Sequence, residues 1–335
     1  MWMKQVERFF MIQSEFYVPS SLQKGGYIHV RCVIPENASP TTPSVICLHG
    51  AVMHNIIFDV CVDEGQPTFL EYLAQKGFAA FAISYRGYGE SSKPEEMDAS
   101  PFPLRPIMRY DDARQDVLDV LKYLQTRKGT ESFHICGLSW GSVVAGSLAT
   151  KHPDLVDKLV LLGAVYSYPN PSWAAILNPE NPNQLNPGMG SYRVVTKNMI
   201  TAAWDAEIPG SDKSTWRNSP AVELIVNDMF AGDKIWAEQQ STSPCFRIPT
   251  GVSLDVLEIY NQRPLYDASL VKCSTLILRG AYDTSSHPLD MENLLRHLGT
   301  SNKKMITFGN ATHYAIAERK AKTLWEEISA FFLKD

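Results

Sequence analysis

A serine stands at the centre of a Gly-x-Ser-x-Gly segment, Gly137-Leu138-Ser139-Trp140-Gly141. The apolar stretch His134–Cys136 precedes it and small residues follow it, so the pattern predicts a strand, a sharp turn and a helix. A serine on such a turn needs strained backbone angles and close neighbours without side chains, which Gly137 and Gly141 provide. The helix that begins after Ser139 points the positive end of its dipole at any oxyanion formed there. We therefore predict that Ser139 is a nucleophile for acyl transfer.

The segment alone is a weak signal, because a chain of this length contains one by chance about one time in ten. Two further residues, which come much later in the chain, strengthen this signal. Asp283 follows the apolar stretch Thr275–Arg279 and a short turn, and His313 lies in a loop after the stretch Lys304–Phe308. Serine, aspartate and histidine in this order are one known order of a catalytic triad. We predict that His313 is the general base and that Asp283 orients it.

Other residues near Asp283 are candidates for the same roles. Asp290 and Glu292 are nearby carboxylates, but neither directly follows the strand. His287 lies on the same loop as Asp283, and we expect a structural or surface role for it.

A second segment predicts a site for the negative charge that develops in acyl transfer. The apolar stretch Ser44–Leu48 ends in His49-Gly50-Ala51. This arrangement would place the backbone N–H of Ala51 opposite that of Trp140, so that two amides face one oxygen. We expect His49 to brace this loop.

Composition and motifs exclude several other classes of function. A net charge of −5 and a pI near 5.9 disfavour binding to nucleic acid or to an acidic membrane surface. The apolar stretches are far shorter than the roughly 20 residues of a membrane helix. No metal-binding, cofactor-binding or phosphate-binding motif is present, so we expect no metal and no cofactor. Residues 1–18 do not form a secretion signal, and six cysteines without a CxxC pair are expected to be buried thiols, so we predict a cytoplasmic location.

Strand and helix patterns alternate through most of the chain, which predicts an α/β fold with a mostly parallel sheet. The predicted strands are Tyr27–Ile34, Ser44–Leu48, Ala79–Ser84, His134–Cys136, Lys158–Leu162, Thr275–Arg279 and Lys304–Phe308. Helices are predicted at Pro67–Lys76 and Tyr110–Thr126.

The alternation stops after Tyr166 and resumes near Leu270, which divides the chain into a core, 1–165 and 270–335, and an insertion, 166–269. The insertion has helical patterns at Val194–Trp204, Pro220–Phe230 and Lys234–Gln240 but no strand long enough to extend the sheet, so we predict a helical cap. It holds seven basic and eleven acidic residues, and therefore most of the net negative charge.

We expect the cap to select the substrate. Four aromatic side chains are candidates for contact with it: His54, Trp173, Trp204 and Trp236. The tryptophans could instead pack the cap onto the core, as aromatic residues at helical spacing usually do.

A further segment, Ser84-Tyr85-Arg86-Gly87-Tyr88-Gly89, is similar to the Asp-x-Arg-Gly-x-Gly turn of the α/β-hydrolase superfamily, with Ser84 where Asp is common. With the serine turn and the order of the triad, the chain resembles a member of that superfamily with a helical cap inserted between the sixth and seventh strands of its sheet. The resemblance covers about Tyr27–Tyr166 and Leu270–Asp335. It implies the α/β-hydrolase fold, the triad roles predicted above, and the amides of Ala51 and Trp140 as the oxyanion hole.

The nucleophile limits the chemistry. Relatives that attack alkyl carbon use a carboxylate, since a serine would form an ether that water does not cleave. We therefore predict a serine hydrolase of a small or medium, mostly hydrophobic ester or lactone, acting through an acyl-enzyme. An aminopeptidase or amidase, a carbon–carbon bond hydrolase, an acyltransferase or cyclase, and a non-catalytic ligand receptor also remain open. The sequence predicts a small-molecule substrate as partner and does not indicate an oligomeric state.

Overall fold

The computed structural model describes residues 11–240 and 245–334. Its strands, in chain order, are β1 (Met11–Pro19), β2 (Tyr27–Pro35), β3 (Ser44–Leu48), β4 (Ala79–Ile83), β5 (Phe133–Leu138), β6 (Val156–Leu162), β7 (Leu177–Asn178), β8 (Asn181–Leu185), β9 (Tyr192–Thr196), β10 (Cys245–Pro249), β11 (Ser274–Gly280) and β12 (Lys303–Phe308). Its helices are α1 (Phe69–Gln75), α2 (Tyr110–Lys128), α3 (Trp140–Lys151), α4 (Lys197–Glu207), α5 (Ser219–Ala231), α6 (Lys234–Ala237), α7 (Gly251–Tyr260), α8 (Pro288–His297) and α9 (Ala321–Leu333).

Eight strands form the main sheet, in the order β1-β2-β4-β3-β5-β6-β11-β12. Strand β2 pairs antiparallel with both β1 and β4. The pairs that follow in the sheet, β4-β3, β3-β5, β5-β6, β6-β11 and β11-β12, are parallel. The central strands β3, β4 and β5 are buried along their whole length, as expected of parallel strands covered on both faces by helices. Because parallel strands end at the same edge of a sheet, the loops after β3, β5, β6, β11 and β12 lie side by side there.

The predicted core elements are confirmed. All seven predicted strands are present, and their bounds differ from the prediction by one or two residues at most. Both predicted core helices are present as α1 and α2. Strand β1 is not predicted by the sequence, because most of its residues are exposed at the edge of the sheet and carry no clear alternation. The N-terminal segment for which no secretion signal is predicted begins with residues 1–10, which lie outside the described residues.

The insertion between β6 and β11 contains the three predicted helices as α4, α5 and α6, but it is not helical throughout. Strands β9 and β10 form a two-stranded antiparallel sheet, and β7 and β8 form another. Helix α4 begins later than predicted because Tyr192–Thr196, whose β-branched residues favour a strand, pairs with β10. Helix α7 is a further element that the sequence does not predict. In the described part of the chain no strand of the insertion joins the main sheet, and the division at residues 166 and 269 stays a prediction.

Across residues 11–240 and 245–334, the structure contains no helix with both the length and the apolar character that crossing a membrane requires.

Candidate active site

The turn between β5 and α3 holds Ser139 in a strained conformation. Its φ of 56° and ψ of −125° lie in a region of backbone conformation that residues other than glycine rarely adopt. Its backbone N–H donates to Leu162 O at 2.8 Å, which ties the turn to the end of β6. A Cβ atom at Gly137 would overlap the carbonyl of Gly141, and one at Gly141 would overlap the carbonyl of Leu48. The two glycines therefore let the turn pack tightly enough to present Ser139.

Ser139, His313 and Asp283 form one hydrogen-bonded chain. His313 Nε2 lies 2.8 Å from Ser139 Oγ, and its Nδ1 lies 2.9 and 3.0 Å from the two carboxylate oxygens of Asp283. A carboxylate only accepts, so Nδ1 carries the proton and Nε2 is free to accept from the serine hydroxyl. Three side chains that are far apart in sequence thus meet in the geometry of a nucleophile, a base and its orienting acid.

The pKa of His313 is raised above its ordinary value by its neighbours. Burial alone would lower this pKa, but the charge and hydrogen bond of Asp283 raise it, and the charge of Glu207 adds to the effect. The protonated imidazole that a general base forms is therefore favoured at this position.

Hydrogen bonds between side chains and backbone groups hold the loop that carries Asp283. Asp283 Oδ1 accepts hydrogen bonds from the N–H groups of Ser285 and Ser286 at 2.9 and 2.7 Å. The guanidinium of Arg279 donates to the carbonyls of Asp283 and Ser286, both at 3.0 Å. These contacts fix the carboxylate in the orientation that meets His313.

The loop after β3 lies directly against the serine. A Cβ at Gly50 would sit 3.0 Å from Ser139 Cβ, so the next residue, Ala51, comes close to the nucleophile. Trp140 is the first residue of α3, whose leading N–H groups have no partner within the helix. No residue in the described ranges accepts a hydrogen bond from the amide of Ala51 or of Trp140. Both donors are thus available to an oxyanion.

His49 braces this loop as a neutral side chain. Its Nε2 accepts from the N–H of Tyr85 at 3.2 Å, so Nδ1 carries the proton and donates to Gly50 O at 2.8 Å. Burial lowers the pKa of His49 to about 3, which keeps it uncharged. The hydroxyl of Tyr88 donates to Ala51 O at 3.1 Å and holds the far side of the loop.

A cavity of about 270 Å³ opens onto these groups. Ser139, His313, Ala51 and Trp140 line it, together with Trp173 from the insertion. The rest of the wall is mostly apolar: Gly50, Val52, Met53, Ile57, Leu138, Val165, Ile176, Met189, Arg193, Val252, Ser253, Val256, Ser285 and Tyr314. The cavity therefore suits a small or medium ligand with an apolar body.

Three of the four predicted substrate contacts do not line this cavity. His54 is buried elsewhere, with Nε2 3.4 Å from Asp228 Oδ1. Trp204 is buried and donates to Glu318 at 3.1 Å, while its ring stacks on Tyr314. The guanidinium of Arg247 lies over the ring of Trp236, with Arg247 Cζ 4.9 Å from the ring centroid. These two tryptophans pack against other side chains, as aromatic residues at helical spacing usually do, and contact of the three side chains with substrate stays a prediction.

Two of the alternative candidates near Asp283, His287 and Asp290, have other partners. His287 caps the N-terminus of α8 and stacks on Tyr168, with ring centroids 4.1 Å apart. Asp290 accepts from the N–H groups of Tyr166 and Ser167 at 2.8 and 2.7 Å. Neither residue belongs to the chain of hydrogen bonds at Ser139.

Two residues beside Ser139, Asp283 and His313 are not predicted by the sequence. Glu207, at the end of α4, accepts from the N–H of His313 at 2.7 Å and from the N–H of Thr284 at 3.0 Å. Gly163, which follows β6, has a φ of 53°, and a Cβ there would lie 3.1 Å from both Asp283 Oδ2 and His313 Nδ1. The only sequence signal for Gly163 is a glycine directly after a strand, and Glu207 has none.

One cluster in the described ranges has the residue types of a metal site, and it lies away from Ser139. It consists of Glu15, His29 and Glu90. Tyr17 donates to Glu90 at 2.6 Å, and Arg31 lies 3.5 Å from Glu15, so the carboxylates already have partners. We assign no metal to it.

Comparison with known proteins agrees with this fold. A family model described as the alpha/beta hydrolase fold matches residues 43–192. The AB hydrolase superfamily protein YisY of Bacillus subtilis (strain 168) is 25% identical over 283 residues, which are 83% of this chain and 87% of that protein.

Two solved structures are similar over nearly the whole chain. A thermophilic esterase from Thermogutta terrifontis, with malate bound, has a TM-score of 0.61 at 17% identity, covering 95% of this chain and 98% of the esterase. The 2-hydroxy-6-oxo-6-phenylhexa-2,4-dienoate hydrolase from Rhodococcus sp. strain RHA1 also has a TM-score of 0.61 at 17% identity, covering 97% of this chain and 100% of the hydrolase. At these identities the likeness shows the fold.

Proposed function

We propose that this chain, a member of the α/β-hydrolase superfamily, is a serine hydrolase that cleaves a small or medium, mostly hydrophobic carboxylic ester or lactone. The observation that carries the proposal is the distance of 2.8 Å between Ser139 Oγ and His313 Nε2, continued at 2.9 Å to Asp283. Superfamily membership by itself leaves the reaction open, because one fold hosts many activities.

The proposed mechanism is acyl transfer in two steps. His313 removes the hydroxyl proton as Ser139 Oγ attacks the carbonyl carbon, and Asp283 stabilises the imidazolium without taking the proton. The amides of Ala51 and Trp140 donate to the oxyanion of the tetrahedral intermediate, and one such donor is typically worth roughly 3 kcal/mol of barrier. His313 then protonates the leaving alcohol, and an acyl-enzyme is left on Ser139. Water, activated by the same histidine, releases the acid.

A second candidate is hydrolysis of a carbon–carbon bond by the same residues. The dienoate hydrolase, whose structure is similar over 97% of this chain, shows that the same fold hosts such a reaction, so this candidate is tested beside the ester and the lactone. An aminopeptidase is disfavoured, because none of the cavity-lining residues in the described ranges is a carboxylate that could bind a substrate ammonium group. A cytoplasmic location is part of the proposal and rests on the sequence alone.

The test is the intact mass of the protein after incubation with a fluorophosphonate. We expect one adduct per chain on the wild type, none on Ser139→Ala, and strongly slowed labelling of His313→Ala. Ser142→Ala is the matched control, since Ser142 is a buried serine in the first turn of the same helix, and we expect it to be labelled like the wild type. No adduct on folded wild-type protein, or equal labelling of Ser139→Ala, would overturn the proposal. A panel of esters, lactones and vinylogous diketones then separates the two candidate reactions.

A further inference from the structure

One charged side chain of the cavity wall has no role in the mechanism above. Arg193, in β9, is the only residue with a permanent charge among the described residues that line the cavity. It belongs to the insertion, so the core supplies the reacting groups and the insertion supplies this charge.

Arg193 differs from the other arginines of the insertion in having no carboxylate partner. Arg217 pairs with Asp205 at 2.6 Å, Arg247 with Asp233 at 2.7 Å, and Arg263 with Glu258 at 2.5 Å. In residues 11–240 and 245–334, no carboxylate lies within ion-pair distance of Arg193. Although the insertion is acidic overall, this one guanidinium is left without a counter-charge where it faces the cavity.

Arg193 is an exposed side chain that lines the cavity. The protein around its guanidinium removes part of the surrounding water, which lowers its pKa. A guanidinium remains protonated under these conditions. A charge that has lost part of its hydration and has no partner is a ready binding group for an anion.

The location of Arg193 ties it to the reacting groups. Its charge acts on the hydroxyl of Tyr88, and that hydroxyl donates at 3.1 Å to the carbonyl of Ala51, one of the two residues assigned to the oxyanion hole. Arg193, Ala51, Ser139 and His313 all line one cavity of about 270 Å³. A ligand that fills it therefore contacts the arginine and the nucleophile together.

We propose that Arg193 binds a carboxylate of the substrate, so that the ester or lactone cleaved at Ser139 has an apolar body and one carboxylate group. This inference rests on the proposed function and adds the substrate class. A carboxylate fits the planar fork of a guanidinium through two parallel hydrogen bonds. One cation in an otherwise apolar wall matches a single negative charge, whereas a polyanion would meet the net negative charge of the insertion.

The test compares two ligands that have the same shape and differ in charge. Phenylpentanoate and phenylpentanamide share an apolar body and end in a carboxylate and a carboxamide, respectively. Their affinities are measured by titration calorimetry on the wild type, Arg193→Met, Arg193→Lys and Arg263→Met. Arg263 is the matched control, because it is an exposed arginine of the insertion that pairs with Glu258 and does not line the cavity.

We expect the wild type to bind the carboxylate at least about tenfold more tightly than the amide, the size typical of charge-assisted hydrogen bonds. Arg193→Met, with its thermal unfolding measured to show that it is folded, should lose this preference. Arg193→Lys should keep part of it, and Arg263→Met all of it. Equal affinities on the wild type, or a preference that persists in Arg193→Met because the carboxylate binds elsewhere, would overturn the inference.

Fluorophosphonate labelling of the same variants tests the proposed function separately. The wild type and Arg263→Met should both be labelled at Ser139, because Arg263 does not line the cavity. A carboxylate preference that depends on Arg193 in a protein that is not labelled would support the binding site and overturn the hydrolase. Labelling at Ser139 without such a preference would support the hydrolase and overturn the carboxylate-binding site.

Discussion

Glu207 Oε2 accepts a hydrogen bond of 2.7 Å from the backbone N–H of His313, so the last residue of a helix in the insertion holds the loop of that histidine. Its other oxygen accepts from the N–H and the hydroxyl of Thr284, at 3.0 and 2.6 Å, beside Asp283. One buried carboxylate therefore bridges the loops of the base and of the acid. Because Glu207 touches neither Ser139 nor the cavity, we regard it as a positioning residue.

We predict that Glu207→Gln lowers kcat/KM about tenfold and moves the acid limb of its pH profile to lower pH. Both oxygens of Glu207 face N–H donors, so the amide nitrogen of glutamine would leave one donor without an acceptor and loosen one loop. The charge of Glu207 also helps to raise the pKa of His313, and its removal lowers that pKa. Only the neutral imidazole acts as a base, so activity in the variant should begin to fall at a lower pH than in the wild type.

The measurement is kcat/KM against pH for Glu207→Gln and for the control Glu223→Gln. Glu223 is a carboxylate of the insertion that pairs with Lys197 on the surface. The wild type and the control should share an acid limb centred above the ordinary histidine pKa of about 6.5. A loss of stability in Glu207→Gln with the acid limb unmoved would show that Glu207 only supports the fold.

The sequence is sufficient to predict that Ser139, Asp283 and His313 come together, because each lies in the segment that follows a strand of a parallel sheet. Strand patterns can be recognised from local periodicity, and the loops at one edge of a parallel sheet must meet. Glu207 cannot be predicted in this way. The groups that donate to it come from loops far away in the chain, and its own neighbours are those of an ordinary helix end.

Side-chain roles inside the insertion are predicted least well. Trp173 lines the cavity, whereas Trp204 and Trp236 pack against other side chains, and nothing in their local sequence separates these cases. Burying an aromatic ring is favourable in either setting. The lack of a partner for Arg193 likewise depends on which acidic residues pair with the other arginines, and only the tertiary structure shows this.

We predict that Gly163→Ala lowers kcat about tenfold, whereas Gly77→Ala does not lower it. Both glycines have a positive φ, 53° and 89°, so alanine strains the backbone at either position by roughly 1 kcal/mol or more. At Gly77 the new methyl group meets open space, but at Gly163 it would lie 3.1 Å from Asp283 Oδ2 and from His313 Nδ1. The acid and the base must then shift, and small displacements of reacting groups are costly.

Thermal unfolding and steady-state kinetics of the two variants separate these effects. Similar losses of stability, with a fall in kcat for Gly163→Ala alone, would show that the glycine is required for the contact with the triad. Equal kcat values would mean that the pair can move aside without cost to the reaction.

We predict that Asp283→Asn lowers kcat by roughly a thousandfold or more while the protein stays folded. The oxygen of the asparagine would accept from the N–H groups of Ser285 and Ser286, which now donate to Oδ1. Its NH₂ group then faces His313 Nδ1 and favours the tautomer in which Nδ1 accepts and Nε2 carries the proton. A protonated Nε2 cannot take the proton of Ser139, as in the known effect of this substitution in a serine protease triad.

The control is Asp290→Asn, a buried carboxylate that also accepts backbone N–H groups, at 2.8 and 2.7 Å, but belongs to no triad. Rates of fluorophosphonate labelling and ester turnover, normalised to the folded fraction, should fall for Asp283→Asn and stay close to the wild type for Asp290→Asn. Equal losses in the two variants would mean that Asp283 acts by holding its loop rather than by setting the tautomer of His313.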